Sequence, residues 1–374
     1  MSSRQTPRAR EVSAGAVHPA GEPRVAVVGA AAVPGARILD VFARAARACG
    51  ATRQPVAIDR ARGRVATAEW RLADPSSPAL VRALRGVDVA VWVAVETDLQ
   101  SALRARPSTR RDLVVWTAQT VLTAAAAAGV PRLIVVTSAQ VYGAAADNPV
   151  PLPEDAELNG VRDGGVVGDL MAVEEVVQDA RWVHPGLSIS VVRPAALVGP
   201  GIDTVVTRHF EAPRLLTVKG ASPAWQFCHV DDLATGVRVV AERGLGPVVT
   251  VGSPGWLSQE QVESLTGMRR VQLSEATALG TAARLHRFGV LPAPASELAH
   301  ALYPWVIDAA RLRAVGWQAA YDNETCVGAM LESIKGRHAV AGRRVDRMDA
   351  ALGAASAAVA LVGTAAVLRR ARRP

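Results

Sequence analysis

Lysine is almost missing from this chain of 374 residues: of its 42 basic residues only Lys219 and Lys335 are Lys, and the rest are Arg. Tyrosine is nearly as scarce, with Tyr142, Tyr303 and Tyr321 the 3 present, and aromatics together make up 4%. The basic residues are scattered instead of striped or interleaved with aromatics, so no nucleic-acid partner is expected despite the net charge of +8. The 3 cysteines (Cys49, Cys228, Cys326) are far apart and form no CxxC pair, and the 7 His show no HExxH-type spacing. That speaks against a disulfide framework and against a metal site. A reduced, metal-free cytoplasmic protein is the simplest reading. Residues 1–22 are rich in Ser, Arg and Pro and lack the apolar run of about 7–15 residues that a signal peptide needs, so they read as a flexible tail.

What is present is apolar and small-sided. Half the residues are hydrophobic, with Ala, Val and Gly dominating, which favours helices packed tightly on a Val-rich sheet. Short β-branched runs at 24–30 (RVAVVGA), 55–59 (PVAID), 87–95 (VDVAVWVAV), 133–137 (LIVVT) and 187–193 (LSISVVR) read as strands. Helical patterns at 35–49, 79–85, 112–128 and around 170–180 separate them. Continuous apolar strands alternating with helices predict a Rossmann-type, doubly wound parallel sheet of the α/β class, covered on both faces. After Pro194 the elements shorten: 231–243 reads as a helix returning to the sheet, 258–301 as part of a smaller lobe, and 306–333 as the closing segment. The expected organisation is thus a nucleotide-binding core over about 23–200, lobe elements over about 201–333, a basic linker at 334–348 and an apolar segment at 349–374.

That last segment has two readings. Residues 350–368 are 19 consecutive uncharged residues followed by an Arg-rich end, a length that fits a membrane-spanning helix. Nine of the 19 are Ala, however, and only six are Leu or Val, at about −0.3 to −0.6 kcal/mol of insertion energy each. The other reading is an Ala-rich helix packed on the protein or on a partner.

The chemistry starts at the first strand–helix turn, Gly29-Ala30-Ala31-Ala32-Val33-Pro34-Gly35. A dinucleotide pyrophosphate needs a tight turn, close backbone approach and a helix amino terminus with free amides. Gly29 and Gly35 supply the outer glycines of a G-x-x-G-x-x-G spacing, and Ala32 stands in the middle, with Val33 beside it. Pro34 suits a first helical turn. Asp59 ends the second strand, where a carboxylate accepts hydrogen bonds from ribose hydroxyls and repels a 2′-phosphate, favouring NAD over NADP. Arg60 follows and works against that preference. The bland reading of Asp59 is a strand-end residue that starts a turn.

Further motifs follow in order. They are Val91 to Val95, Thr137-Ser138-Ala139-Gln140-Val141-Tyr142-Gly143, Arg193-Pro194-Ala195-Ala196-Leu197-Val198-Gly199-Pro200-Gly201, and His229-Val230-Asp231-Asp232-Leu233-Ala234. Over roughly residues 24–333 the chain resembles the extended short-chain dehydrogenases/reductases of the NAD-dependent epimerase/dehydratase type, similar to UDP-glucose 4-epimerase-like proteins. The resemblance implies NAD as cofactor, a small-molecule or nucleotide-sugar ligand, and allows a homodimer. It places Ser138 at the catalytic Ser/Thr position, Ala94 beside the cofactor, and Pro194 and Ala195 near the nicotinamide amide. It gives Tyr142 a structural part, and His229, Asp231 and Asp232 an anchoring part under the lobe.

The resemblance also exposes a gap. Such enzymes carry Tyr-x-x-x-Lys on the helix after the fifth strand, and here Val167 and Met171 stand at those positions. No Tyr in the chain precedes a Lys by four. Arg71 replaces the Asp that contacts adenine, Trp92 the strand-end His, and Val114 the Asn that supports the helix. In the family the Tyr phenol moves the substrate proton, and the Lys lowers its pKa and holds the ribose. Val and Met do neither. Three functions are therefore open: a catalytically degenerate nucleotide-binding or regulatory module, an epimerase, dehydratase or reductase with a displaced acid/base, and a scaffold at a membrane surface. Glu174 or Glu175 offers a carboxylate in place of the missing pair, but two adjacent acids on a helix are more often a solvated face, and that is the expectation here.

Overall fold

The apolar runs assemble as one sheet. The structure, a computed structural model, describes residues 23–336 apart from 52, 289, 290 and 292, together with 339–340 and 343–344. Seven strands, β1 (Val25–Val28), β2 (Val56–Asp59), β3 (Glu69–Leu72), β4 (Val89–Val93), β5 (Arg132–Val136), β6 (Ser188–Pro194) and β7 (Val248–Val251), pair in the order β7-β6-β5-β4-β1-β2-β3. Every pairing in this sheet is parallel. The winding reverses between β1 and β4, where Val28 lies opposite Trp92, and a reversal of this kind opens a crevice at the carboxyl ends of the strands.

Both faces of the sheet are buried along its inner strands, as their apolar runs require. Alternate residues of β1 divide between two cores: Val25 and Val27 belong to one, Ala26 and Val28 to the other. Helices α1 (Val33–Ala48) and α5 (Val230–Arg243) pack on one face, while α2 (Pro107–Ala127) and α3 (Val166–Val183) pack together on the other. Between α3 and α5 runs the short α4 (Val205–Glu211), opened by a Thr204/Thr207 capping box. Further on, α6 (Asn323–Ile334) buries Cys326, Val327 and Met330. The lobe adds short strand pairs, among them Leu215–Val218 with Arg270–Leu273.

One strand escapes the sequence reading and one expectation is corrected. Strand β3 reads in sequence as nothing, because Glu-Trp-Arg-Leu on a sheet edge is half exposed and has no apolar run; charge on an edge strand also blocks unwanted pairing. Glu174 and Glu175 do not form a solvated face: Glu174 is 1% exposed, while Glu175 pairs with Arg162 at the surface. Both readings of 350–368, the tail at 1–22 and most of the 334–348 linker lie outside the described residues. Among the described residues no helix is long and apolar enough to cross a membrane.

Candidate functional site

Parallel strands bring their carboxyl ends to one edge, and the expected site residues gather there. Gly29 follows β1, Asp59 ends β2, Ala94 follows β4, Ser138 follows β5, Pro194 ends β6 and Ala195 follows it. Backbone bonds lock these ends together: the amides of Ala94 and Val95 donate to the Val136 carbonyl at 2.9 and 3.0 Å, and that of Ala195 to Val251 at 2.9 Å.

The first turn is built for close approach. Gly29 has φ +85°, a conformation that favours glycine, and its amide donates to the Ile58 carbonyl at 3.0 Å. A Cβ on Gly35 would overlap the Gly29 carbonyl, so only glycine lets α1 start so near the strand. No side chain caps α1 at Ala32, Pro34 lies in its first turn, and Ala31 and Ala32 are exposed. An uncapped helix amino terminus above a glycine turn fits an anionic pyrophosphate. Asp59 accepts from the Ala31 amide at 2.9 Å and from the Arg60 amide at 2.7 Å, which fixes its carboxylate against the turn. The Arg60 guanidinium turns away to Asp74 at 3.0 Å. Arg71 pairs with Glu69 at 2.8 Å and donates to the carbonyls of Ala83 and Arg85 at 2.7 and 2.9 Å, so its guanidinium is taken up on and beyond β3.

At the same carboxyl edge, beyond the ends of β4, β5 and β6, lies a nearly closed cleft. Val95, Glu96, Ser138, Gln140, Val166 and Trp305 are among its walls, and the space left is only about 20 Å³, roughly one water. A larger opening, about 520 Å³ around Arg24, Arg47, Arg53 and Glu69, is a shallow groove where β1 and β3 begin, at the opposite end of the sheet. Ser138 is 5% exposed; its Oγ accepts from the Gln140 amide at 3.2 Å and lies 3.4 Å from the Gln140 side-chain oxygen. The hydroxyl therefore has local partners of its own.

At the amino end of α3 it is Val166 that lines the cleft, with Val167 and Met171 buried at 2% and 1% exposure. Met171 packs with Val141, Leu170 and Leu158. One step of register therefore separates the sequence reading from the wall of the cleft. Both registers are apolar, Val166 with Leu170 and Val167 with Met171, so neither supplies a phenol or an ammonium. Among the described residues that line the cleft, Glu96 is the one ionisable side chain. Its side chain keeps an exposed face, yet the protein packed around it desolvates the carboxyl enough to push it above the ordinary range, and it accepts from the Asp98 amide at 2.7 Å.

The supporting groups are tied off. Glu174 accepts from Arg193 Nε and a terminal nitrogen at 3.0 and 2.9 Å and from Thr137 Oγ1 at 2.8 Å. The Arg193 guanidinium stands 4.8 Å from the centre of the Tyr142 ring, whose hydroxyl donates to the Glu154 carbonyl at 2.7 Å. Asp232 accepts from the amides of Ala320 and Tyr321 at 2.8 and 3.1 Å, and His229 stacks on Tyr321. Those contacts give Tyr142, His229 and Asp232 structural places. Glu96 directly follows a motif that was legible in sequence and was within reach; Trp305, more than 100 residues beyond α3, carried no signal.

A parallel sheet wound in this order, with an uncapped helix start above a glycine turn at the switch point, defines a Rossmann-type dinucleotide-binding fold. The profile of the NAD dependent epimerase/dehydratase family matches residues 25–252, and the chain belongs to that family. Among curated relatives, an uncharacterized protein of Mycobacterium tuberculosis is 24% identical over 278 residues, 73% of each chain. An uncharacterized protein of Sinorhizobium fredii is 31% identical over 124 residues, 31% of this chain and 29% of its own. Among solved structures, MoeE5 in complex with UDP-glucose and NAD has a TM-score of 0.61 at 20% identity, covering 83% of this chain and 98% of its own. The dTDP-glucose 4,6-dehydratase DesIV of Streptomyces venezuelae, a double mutant with NAD and DAU bound, gives 0.60 at 18%, covering 84% and 97%. At these identities the likeness concerns the fold.

Proposed function

We propose that this chain binds NAD and works as a nucleotide-binding or regulatory module, without the Tyr–Lys proton transfer of its family. In this reading residues 23–200 hold the nucleotide and elements within 201–333 cover the cleft. The observation that carries it is the apolar amino end of α3, where Val166, Val167, Leu170 and Met171 leave no group to move a substrate proton in either register. Gly29, Ala32, Val33 and Gly35 would take the pyrophosphate, Asp59 the adenosine ribose, and Ala94, Pro194 and Ala195 the nicotinamide side. NAD supplies hydride-transfer chemistry when bound; what this chain's residues contribute is its placement and a dry wall. Because Arg60 is held by Asp74, the carboxylate of Asp59 sets the preference for NAD over NADP. Affinity is lower than in relatives with the full set, since Met171 holds no ribose and Arg71 no adenine.

One observation favours a second reading, turnover with a displaced acid/base on a nucleotide-sugar or similar hydroxyl ligand. Glu96 places a carboxyl of raised pKa in the same cleft as Ser138. The two readings separate in one experiment. Purified protein is titrated with NAD and NADH by fluorescence, released nucleotide is identified by mass spectrometry, and turnover is assayed with UDP-glucose and dTDP-glucose. Binding without turnover supports the module. Turnover lost in both Ser138→Ala and Glu96→Gln supports the displaced acid.

A further inference from the structure

The segment 294–305 straps the lobe to the cleft. It runs through a 3₁₀ turn, Ala295–Leu298, into Ala299–Leu302, and ends at Trp305 in the cleft wall. Three polar side chains pin it. Ser296 donates to Asp163, His300 Nε2 donates to the Gln140 carbonyl at 3.1 Å, and Glu297 Oε1 accepts from the amides of Val166 and Val167, the latter at 3.3 Å. Trp305 Nε1 donates to the His300 carbonyl at 2.9 Å, which ties the cleft wall to the same strap.

Glu297 is the anomaly in this arrangement. It is 1% exposed, and its second carboxyl oxygen, Oε2, is buried with no hydrogen-bond partner. A buried polar atom left unpaired calls for an explanation. The 18-residue helix α3 has no capping side chain of its own at Gly165, and a Cβ on Gly165 would collide with the Glu297 carboxyl. Glycine at that position is what admits an acid from 130 residues away onto the start of the helix.

We propose that Glu297 is a proton-controlled positioning residue: the strap 294–305 stays shut over Val166 while the carboxyl is neutral, and ionisation releases it. Four influences act on the carboxyl. Exclusion of water disfavours its charge, the amides of Val166 and Val167 favour it, Asp163 in the loop before α3 disfavours it, and Arg110 on α2 favours it. Desolvation wins and pushes the group up to about 7 from an ordinary 4.5. On the strap itself, His300 is held neutral by burial, at about 4, and does not change charge over the same range. A carboxyl that holds its proton more tightly when shut than when released makes the shut state lose ground as pH rises from 4.5 to 7. With those two values the open fraction rises about 30-fold between pH 5.5 and pH 8.

The latch goes beyond the binding reading and does not depend on it, because its test uses no nucleotide. Amide hydrogen exchange of the purified full chain is followed by mass spectrometry in peptides covering 294–306, with the intrinsic pH dependence of exchange removed. Strap opening is expected to rise about 30-fold from pH 5.5 to 8 in the unaltered protein, while strands β4 and β5 stay protected. Glu297→Gln keeps an acceptor for both amides but cannot ionise, so its strap opens equally at the two pH values. Gly165→Ala, which displaces the carboxyl, leaves the strap open at both. A strap with equal opening at both pH values in the unaltered protein overturns the proposal, and so does a Glu297→Gln variant that keeps the pH dependence. If Glu297→Gln loses protection in β4 and β5, the unaltered protein and Gly165→Ala decide.

Discussion

Removing one partner of the Glu174–Arg193 pair should cost more than removing both. Glu174 and Arg193 are 1% and 3% exposed and share two hydrogen bonds, with Thr137 Oγ1 as a third donor to the carboxylate. Glu174→Leu leaves Arg193 charged and buried without its counter-ion, a loss of about 3–5 kcal/mol. Arg193→Met strands Glu174 in the same way and also removes the contact over the Tyr142 ring, worth about 1 kcal/mol. The double variant buries no unpaired charge. It loses only the Thr137 bond, about 1 kcal/mol, and the Tyr142 contact, so its total is about 2 kcal/mol. Urea unfolding followed by circular dichroism gives all three values, and the expected order is unaltered, double, then either single. A single substitution costing under about 1 kcal/mol, or a double variant at the sum of the singles, would refute the view that this pair matters through unpaired burial.

The other expectations concern the turn, the nucleotide preference and acid. Gly35→Ala forces a Cβ into the Gly29 carbonyl, so it should cost about 1–3 kcal/mol in urea unfolding and weaken NAD binding. Asp59→Asn keeps an acceptor for the Ala31 amide but removes the charge, so the NAD/NADP affinity ratio should fall by about 10-fold; tighter NADP binding in the unaltered protein would show the role of Asp59 to be wrong. His209 and His300 are buried neutral, each pushed down to about 4, so each loses stability as pH falls from 6.5 toward 4, while Glu297 gains it below 7. Two losses against one gain of the same size, about 2 kcal/mol each, leave a net loss of about 2 kcal/mol between pH 6.5 and 4.5, measurable as a falling urea midpoint. His300→Gln should flatten that slope.

What the sequence made legible follows from where its information is local. Strands β1, β2, β4, β5 and β6 announce themselves because both faces are largely buried and each carries a β-branched apolar run. Edge strand β3 does not, since Glu69 and Arg71 read as loop. Helix α2 starts at Pro107, earlier than its apolar residues, because 108–112 (STRRD) carries no hydrophobic signal. The carboxyl-edge residues Gly29, Asp59, Ala94, Ser138 and Pro194 were each readable from a short motif beside a strand. Glu174 was misjudged because its acidic neighbour suggested a wet face, and its true partner, Arg193, lies across the sheet end. Val166 differs from Val167 by a helix rotation of about 100°, which a one-residue alignment step cannot resolve. Glu297 and Trp305 reach the cleft only through the path of the lobe, information that no local pattern holds.

The central claim is that the carboxyl edge of the sheet binds NAD while the start of α3 beside it lacks the Tyr–Lys proton-transfer pair of the family. Mass spectrometry of nucleotide released from purified protein, paired with a turnover assay on nucleotide-sugars in the same preparation, tests it most directly. NAD or NADH bound in stoichiometric or titratable amounts, with turnover at the background rate, is the expected result. Sustained turnover in the unaltered protein that disappears in Ser138→Ala would contradict it.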